Sequence, residues 1–463
     1  MKTYSLVFKC ILLLISGLVL LFLAYLAPST SIFEHKRILY ELPTPVLPKP
    51  NAFDVYVRAG KRFAAADKEV KQHLLSKEKQ YSPELANDAA FRALAGMASS
   101  GNPIDDARAT REVAQRENTP LYTLAQKEAL LVYYVKALDG LRSGFAHAYW
   151  TPPIRSFDTL VPHHAHFRGI ARAMTLESQI YREKKQWAKA MEARLDILKL
   201  GLDVAIGGSH LSDAVSIAIM AIGAQNSEDT LSSLSESEAR FALTRLETIA
   251  QKPFTFAQTF QETKWVTIAS IQELEHKYKS EWRTVLFQRM EFKPSDSNPP
   301  TAEDMLAQIV EFHDKETIRF SKPYSAHLPL SPLPKDLIVA ATGLVFSQFF
   351  FNHTLAQVSF VEMLKLRLAL RAYYAKNKAY PFTLQELVGG GYLKALPIDS
   401  FAKDGQFRYK KQGKAFLLYS VGPDGEDNGG KPALNTDKES SVRTQYMTRE
   451  DSKGDIVVGV NVK

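Results

Sequence analysis

Apolar side chains recur at three- and four-residue steps over most of this chain, the spacing that gathers them on one face of an α-helix. The pattern runs from Asn51 to about Val285 and marks Leu121 to Leu138, His166 to Arg182, Trp187 to Leu202 and Leu211 to Ala224. Two helix starts carry their own signals. Ser82-Pro83 joins a capping side chain to a first-turn proline whose missing N–H is not needed there. Ser235 with Glu238 is a capping box that opens a helix to about Ala250. Ala302 to Phe320 predicts another helix between two Pro-rich loops, Lys293 to Thr301 and Ser321 to Lys335. Leu337 to Phe351 is apolar apart from Thr342, Gly343, Ser347 and Gln348. It is short for a bilayer span and predicts a buried core helix.

The segments Phe167 to Leu202 pair naturally. A polar turn, Glu183-Lys184-Lys185-Gln186, separates them, and Ala171, Ala173, Ala188 and Ala190 allow close helix approach. This unit resembles a tetratricopeptide-type helical hairpin, although no strict 34-residue period runs through the chain. An irregular α-helical array over residues 51–335 is the expectation, with a single compact bundle as the alternative.

The periodicity changes over residues 336–463. Phe360, Leu364, Leu368 and Tyr374 keep helical spacing, and Pro381 ends that helix because it has no N–H to donate. Thr383 with Glu386 predicts a second short helix through Leu387, stopped by Gly389-Gly390-Gly391. Phe407 to Lys410 and Ala415 to Tyr419 flank Gln412-Gly413 and read as a hairpin, with Ile456-Val457-Val458 as a last strand. In order, Tyr380-Pro381, Tyr392-Leu393, Leu396-Pro397-Ile398-Asp399, Tyr419-Ser420-Val421-Gly422-Pro423-Asp424-Gly425 and Asp455-Ile456 resemble the C-terminal domain of the major pseudopilin of type II secretion systems. The resemblance covers roughly the last quarter of the chain. It implies an α+β module, a place near a secretion or pilus-type apparatus, and a calcium ion on Asp424 and Asp455, with Asp427 as a third candidate. The chain departs from that family in two places: Lys431 to Lys453 is a longer insertion, and no Gly-Phe processing site precedes Ile11.

The residues of Ser420 to Gly430 also speak for themselves. Asp424, Glu426, Asp427 and Asn428 lie among glycines, and calcium takes six to eight oxygen ligands of this kind. A solvated acidic turn is the alternative reading.

At the N-terminus, Ile11 to Ala27 is an uncharged run of 17 residues bordered by Lys2 and Lys9. That meets the lower limit of roughly 17–25 residues for a bilayer crossing, and the lysines place residues 1–9 in the cytoplasm. A signal-anchor at residues 10–27 is expected, with a cleaved signal peptide as the alternative. Pro43, Pro45, Pro48 and Pro50 make residues 28–50 a Pro-rich linker. The bulk of the chain is then periplasmic, outside a bacterial inner membrane.

Composition narrows this picture. One cysteine in 463 residues excludes an intramolecular disulfide framework, so an apolar core must hold the exported body. The net charge of +8 is spread among acids along the helices, which predicts solvated faces, and nucleic acid is not the expected partner. His163-His164-Ala165-His166 offers an H-x-x-H pair with Asp158 as the nearest acid, but histidines at a helix start are common without metal. Asp105-Asp106 and Glu236 with Glu238 read as surface carboxylates. No phosphate loop, G-x-S-x-G, H-E-x-x-H or dinucleotide fingerprint occurs. The leading expectation is a non-enzymatic scaffold or interaction protein whose protein partner is unnamed. It would present a shallow face lined by aromatics such as Tyr133, Tyr134 and Trp187. The alternative, a hydrolase-type envelope enzyme, would converge polar groups such as His163, His166 and Asp158 in a deep pocket.

Overall fold

The computed structural model describes residues 40–80, 123–224, 227–251, 254–289, 301–326, 337–434 and 448–462. The anchor at residues 10–27, Ser82-Pro83 and Asp105-Asp106 lie outside them. Among the described residues no helix is long and apolar enough to cross a membrane. The fold is mainly helical, with a small C-terminal antiparallel sheet.

Five helices build the first half: α1 (Ala52–Gln80), α2 (Leu124–Arg142), α3 (His163–Glu183), α4 (Trp187–Ala205) and α5 (His210–Ala224). Thr123 with Gln126 closes a capping box at the start of α2. The polar turn between α3 and α4 is where the charge pattern placed it, with Lys185 in the left-handed region at φ 57°. Small residues let the two helices meet closely: Ala171, Ala173 and Ala190 are buried, and Ser178 Oγ donates to Ala190 O at 2.8 Å.

Helix α4 is buried around almost its whole circumference, and it joins two cores. Met191, Leu195, Leu198 and Leu202 turn one stripe toward the C-terminal half. Ile197, Leu200 and Val204 turn another toward Tyr56, Leu141, Phe167 and Ile170. Two apolar stripes on one helix leave little room for solvated charge, yet Arg194, Asp196 and Asp203 sit on it and are buried. The even scatter of charge along the chain suggested solvated faces; here charges are inside and paired. Tyr56 Oη donates to Asp203 Oδ2 at 2.6 Å and Lys199 Nζ reaches Asp203 Oδ1 at 2.6 Å. Arg142 bridges Glu177 and Asp196, and Arg245 takes the other oxygen of Asp196.

The second half adds α6 (Glu228–Ser233), α7 (Glu236–Ile249), α8 (Phe256–Tyr278), α9 (Trp282–Arg289), α10 (Ala302–Phe320) and α11 (Leu337–Ala356). The capping box of Ser235 and Glu238 forms as read, and Thr255 with Gln258 and Thr301 with Asp304 form two more. Helices α8 and α10 pack through Phe256, Phe260, Met305, Ile309 and Phe312. Residues 40–50 have no regular structure and lie against this body: Gln272 donates to Tyr40 O at 3.2 Å and Arg155 to Pro43 O at 3.0 Å.

The apolar helix α11 does not end where its apolar run ends. It passes through a π-helical stretch, Gln357–Glu362, into α12 (Met363–Asn377). Lys378, at φ 58°, caps α12 three residues before Pro381. Leu366, Leu368 and Leu370 of α12 share one apolar cluster with Leu195 of α4, Leu243 and Leu246 of α7, and Phe401, Leu418 and Ile456 of the C-terminal module. The module is therefore seated directly on the helical body. Arg371 Nε donates to Leu234 O at 2.6 Å, and the Arg240 guanidinium lies 4.0 Å from the Tyr392 ring centroid.

Candidate functional site

The C-terminal module consists of α13 (Gln385–Gly389), β1 (Arg408–Gln412), β2 (Ala415–Ser420) and β3 (Ile456–Val457), paired antiparallel in the order β1-β2-β3. Thr383 and Glu386 form half of the expected box. Glu386 Oε1 accepts from the N–H groups of Thr383 and Phe382 at 2.9 and 2.7 Å, and the helix starts after Leu384, which has no side-chain cap. The hairpin turns at Gly413, φ 61°, with Arg408 opposite Tyr419.

Asp399 holds the centre of this module. It is fully buried, and its carboxylate accepts from Phe401 N (3.0 Å), Ser420 Oγ (2.8 Å) and Val421 N (3.2 Å). Burial pushes its pKa up, against the pull of those three donors. The loop after β2 then turns back on the chain end. Gly422 sits at φ 74°, and a Cβ there would stand 2.4 Å from Gly454 O, so only glycine allows this approach.

The three predicted ligand residues lie around this one loop. Asp424 accepts from Glu426 N at 3.2 Å and from Gly454 N at 3.1 Å. Asp455, fully buried, accepts from Asn428 N at 3.2 Å and Gly430 N at 2.7 Å. Burial and the nearby charges of Asp427 and Asp424 raise its pKa. Asp427 faces elsewhere: it accepts from Tyr419 Oη (2.9 Å), Gly429 N (3.0 Å) and Arg408 Nε (3.0 Å). Burial works to raise its pKa, but these donors bring it below the ordinary carboxylate range. Asp424 and Asp455 thus tie the loop to the final strand through backbone N–H groups. Each of their oxygens keeps a second lone pair on which a cation could sit. Asp427 is paired with the Arg408 guanidinium. Among the described residues no group of three or more His, Cys, Asp or Glu side chains is placed to hold a metal ion.

The histidine run is packed into the core side of α3. His163 lies edge-on to Phe53 and against His164, with centroids 5.2 and 4.6 Å away, while Asp158 is in an exposed turn. Burial lowers the pKa of His163 to about 4 and of His164 to about 3, so both are neutral spacers in the packing. The expected aromatic face also needs correction. Tyr134 is buried, stacked on Phe63 at 5.1 Å, and its hydroxyl donates to Asp67 at 3.1 Å, so it is not open to a partner. Trp187 packs against the core, and Tyr133 is 36% exposed. Among the described residues of the module, the most exposed large apolar side chains are Phe382, 77% exposed, and Ile398, 66% exposed, ahead of Leu434. Sequence periodicity could not find them, because both are loop residues next to proline. No family model, curated protein or solved structure matches this chain.

Proposed function

We propose that the chain is a scaffold or interaction protein of the bacterial cell envelope. Its N-terminal segment holds it in the inner membrane, and its body and pseudopilin-like module stand on the periplasmic side, beside a secretion or pilus-type apparatus. One observation carries the reading: the module shares a continuous core with the helical body while Phe382 and Ile398 point away from it. A loop apolar side chain fixed on a rigid support gives a partner a preorganised contact. The order of the short motifs from Tyr380 to Ile456 supports the link to the secretion apparatus. The test is photo-crosslinking in intact cells from Phe382 and Ile398, with Lys315, 59% exposed at its side chain, as control. Discrete adducts at the two module positions and not at the control are expected. Adducts absent at both positions, or identical to those of the control, would contradict the proposal.

We also propose calcium on Asp424 and Asp455, where it would further join the loop to β3. A ligand that binds the folded state alone stabilises it by about 2.7 kcal/mol at a hundredfold excess over Kd. The full chain should melt higher in millimolar calcium than in chelator, and Asp424→Ala should remove most of the difference. Equal melting at millimolar calcium, the range of weak extracellular sites, would remove calcium from the account.

A further inference from the structure

The segment that arrives from the N-terminus joins the body along one edge. Asn51 Nδ2 donates to Trp150 O at 2.8 Å and Trp150 N to Asn51 Oδ1 at 3.1 Å, while Arg155 Nη2 holds Pro43 O at 3.0 Å. Residues 43–51 therefore run beside residues 150–155. Just beyond, Phe157 N donates to Ser270 Oγ of α8 at 2.9 Å, and Gln272 of the same helix holds Tyr40. Three large apolar side chains on this edge stand in solvent: Val46 is 96% exposed, Leu160 63% and Phe157 38%. Clustered exposed apolar groups mark a contact surface.

The sequence that follows, residues 159–176, contains no acid and carries Arg168 and Arg172 one turn apart on α3. Among the described residues neither guanidinium has a hydrogen bond or an ion pair, and Arg168 Nε is buried without a partner. Burial and the charge of Arg168 lower the Arg172 pKa, so the two cations stand close and repel. Guanidinium groups pair strongly with phosphate oxygens. Glu41 and Asp158 are exposed acids on the same edge, so charge alone does not hold a partner here and apolar contact must contribute.

We propose that this edge is a docking surface for anionic phospholipid: Val46, Phe157 and Leu160 enter the headgroup layer, and Arg168 and Arg172 take lipid phosphates. The inference rests on the N-terminal anchor proposed above. Residues 28–39 separate that anchor from Tyr40, and a chain of this length reaches roughly 40 Å at most. A body tethered so close meets the bilayer at high effective concentration, so weak surface contacts suffice.

The test uses the full chain in phosphatidylcholine vesicles with and without phosphatidylglycerol. An environment-sensitive fluorophore is attached to Thr159→Cys, or to Lys315→Cys as control, in a chain that also carries Cys10→Ser. With phosphatidylglycerol present, spin-labelled lipid should quench the label at 159 and leave that at 315 bright. The double variant Arg168→Gln, Arg172→Gln should lower the docked-to-undocked ratio about 25-fold, from about fivefold for each arginine at an anionic surface. Raised salt should lower it in the unsubstituted chain as well, which decides the matter if the double variant fails to fold. No quenching at 159, equal quenching at 159 and 315, or a ratio unchanged by both the variant and salt would overturn the proposal. Alkaline carbonate separates this inference from the anchor. Chain that resists extraction but is unquenched at 159 contradicts the docking surface alone, and chain that carbonate removes contradicts the anchor and the inference resting on it.

Discussion

Arg142→Ala is expected to destabilise the chain by about 3–5 kcal/mol, the cost of breaking one side of a buried ion pair. Its guanidinium lies between three helices. Nε donates to Asp196 Oδ2 at 2.7 Å and Nη1 to Glu177 Oε1 at 3.1 Å, and both carboxylates are buried. Removing the arginine strands Glu177 between α2 and α3, while Asp196 keeps Arg245. Chemical denaturation of the variant measures the loss. The double variant Arg142→Met, Glu177→Leu should recover a large part of it, because apolar side chains of similar size need no counterion. A loss under about 0.5 kcal/mol, the level of an exposed pair, would show the network to be solvated.

The second large effect is a loss of stability in mild acid. Burial lowers the pKa of His163 and His210 to about 4 and of His164 and His313 to about 3. The unfolded chain takes up these protons near pH 6.5 and the folded chain does not. Stability is therefore intact above about pH 6.5 and falls as pH drops toward the folded values, by up to about 1.4 kcal/mol per pH unit for each histidine. Asp203 and Asp399 act in the opposite sense, since burial raises their pKa and protonation favours the fold, so they offset part of the loss. Against a total of about 5–15 kcal/mol, the histidines should unfold the chain between pH 6 and 4 by order of magnitude. Circular dichroism against pH locates the transition. His313→Phe, on a ring that stacks on Phe260 at 4.2 Å, should move it to lower pH. A flat signal down to pH 4 would mean that these rings are charged or solvated in the fold.

The same residues show what was legible in the chain. Helices could be read because their signals are local: the box of Ser235 and Glu238, the apolar steps of Ala302 to Phe320, the polar turn at Lys184. The hairpin around Gly413 was local too. Thr383 and Glu386 misled by one residue, since the backbone N–H of Thr383, and not its hydroxyl, meets Glu386. What could not be read joins distant parts. Tyr56 and Asp203 are 147 positions apart, and nothing near either residue announces the bond. Arg194 and Asp196 looked like surface charge because periodicity cannot tell a helix with one buried face from one buried all round. Asp399 stood inside a recognised motif, but its role as the acceptor for Phe401, Ser420 and Val421 needed the loop's path. The acidic loop from Asp424 to Asn428 was legible as composition and Asp455 entered only through the resemblance, while the turn of Asp427 toward Arg408 was legible in neither.

The claim on which the functional account rests is that the body stands outside the membrane on an N-terminal anchor, and protease added to intact spheroplasts tests it most directly. The account predicts digestion of the bulk of the chain, with a short N-terminal piece left in the membrane fraction. Full protection in intact spheroplasts, with digestion only after lysis, would contradict it.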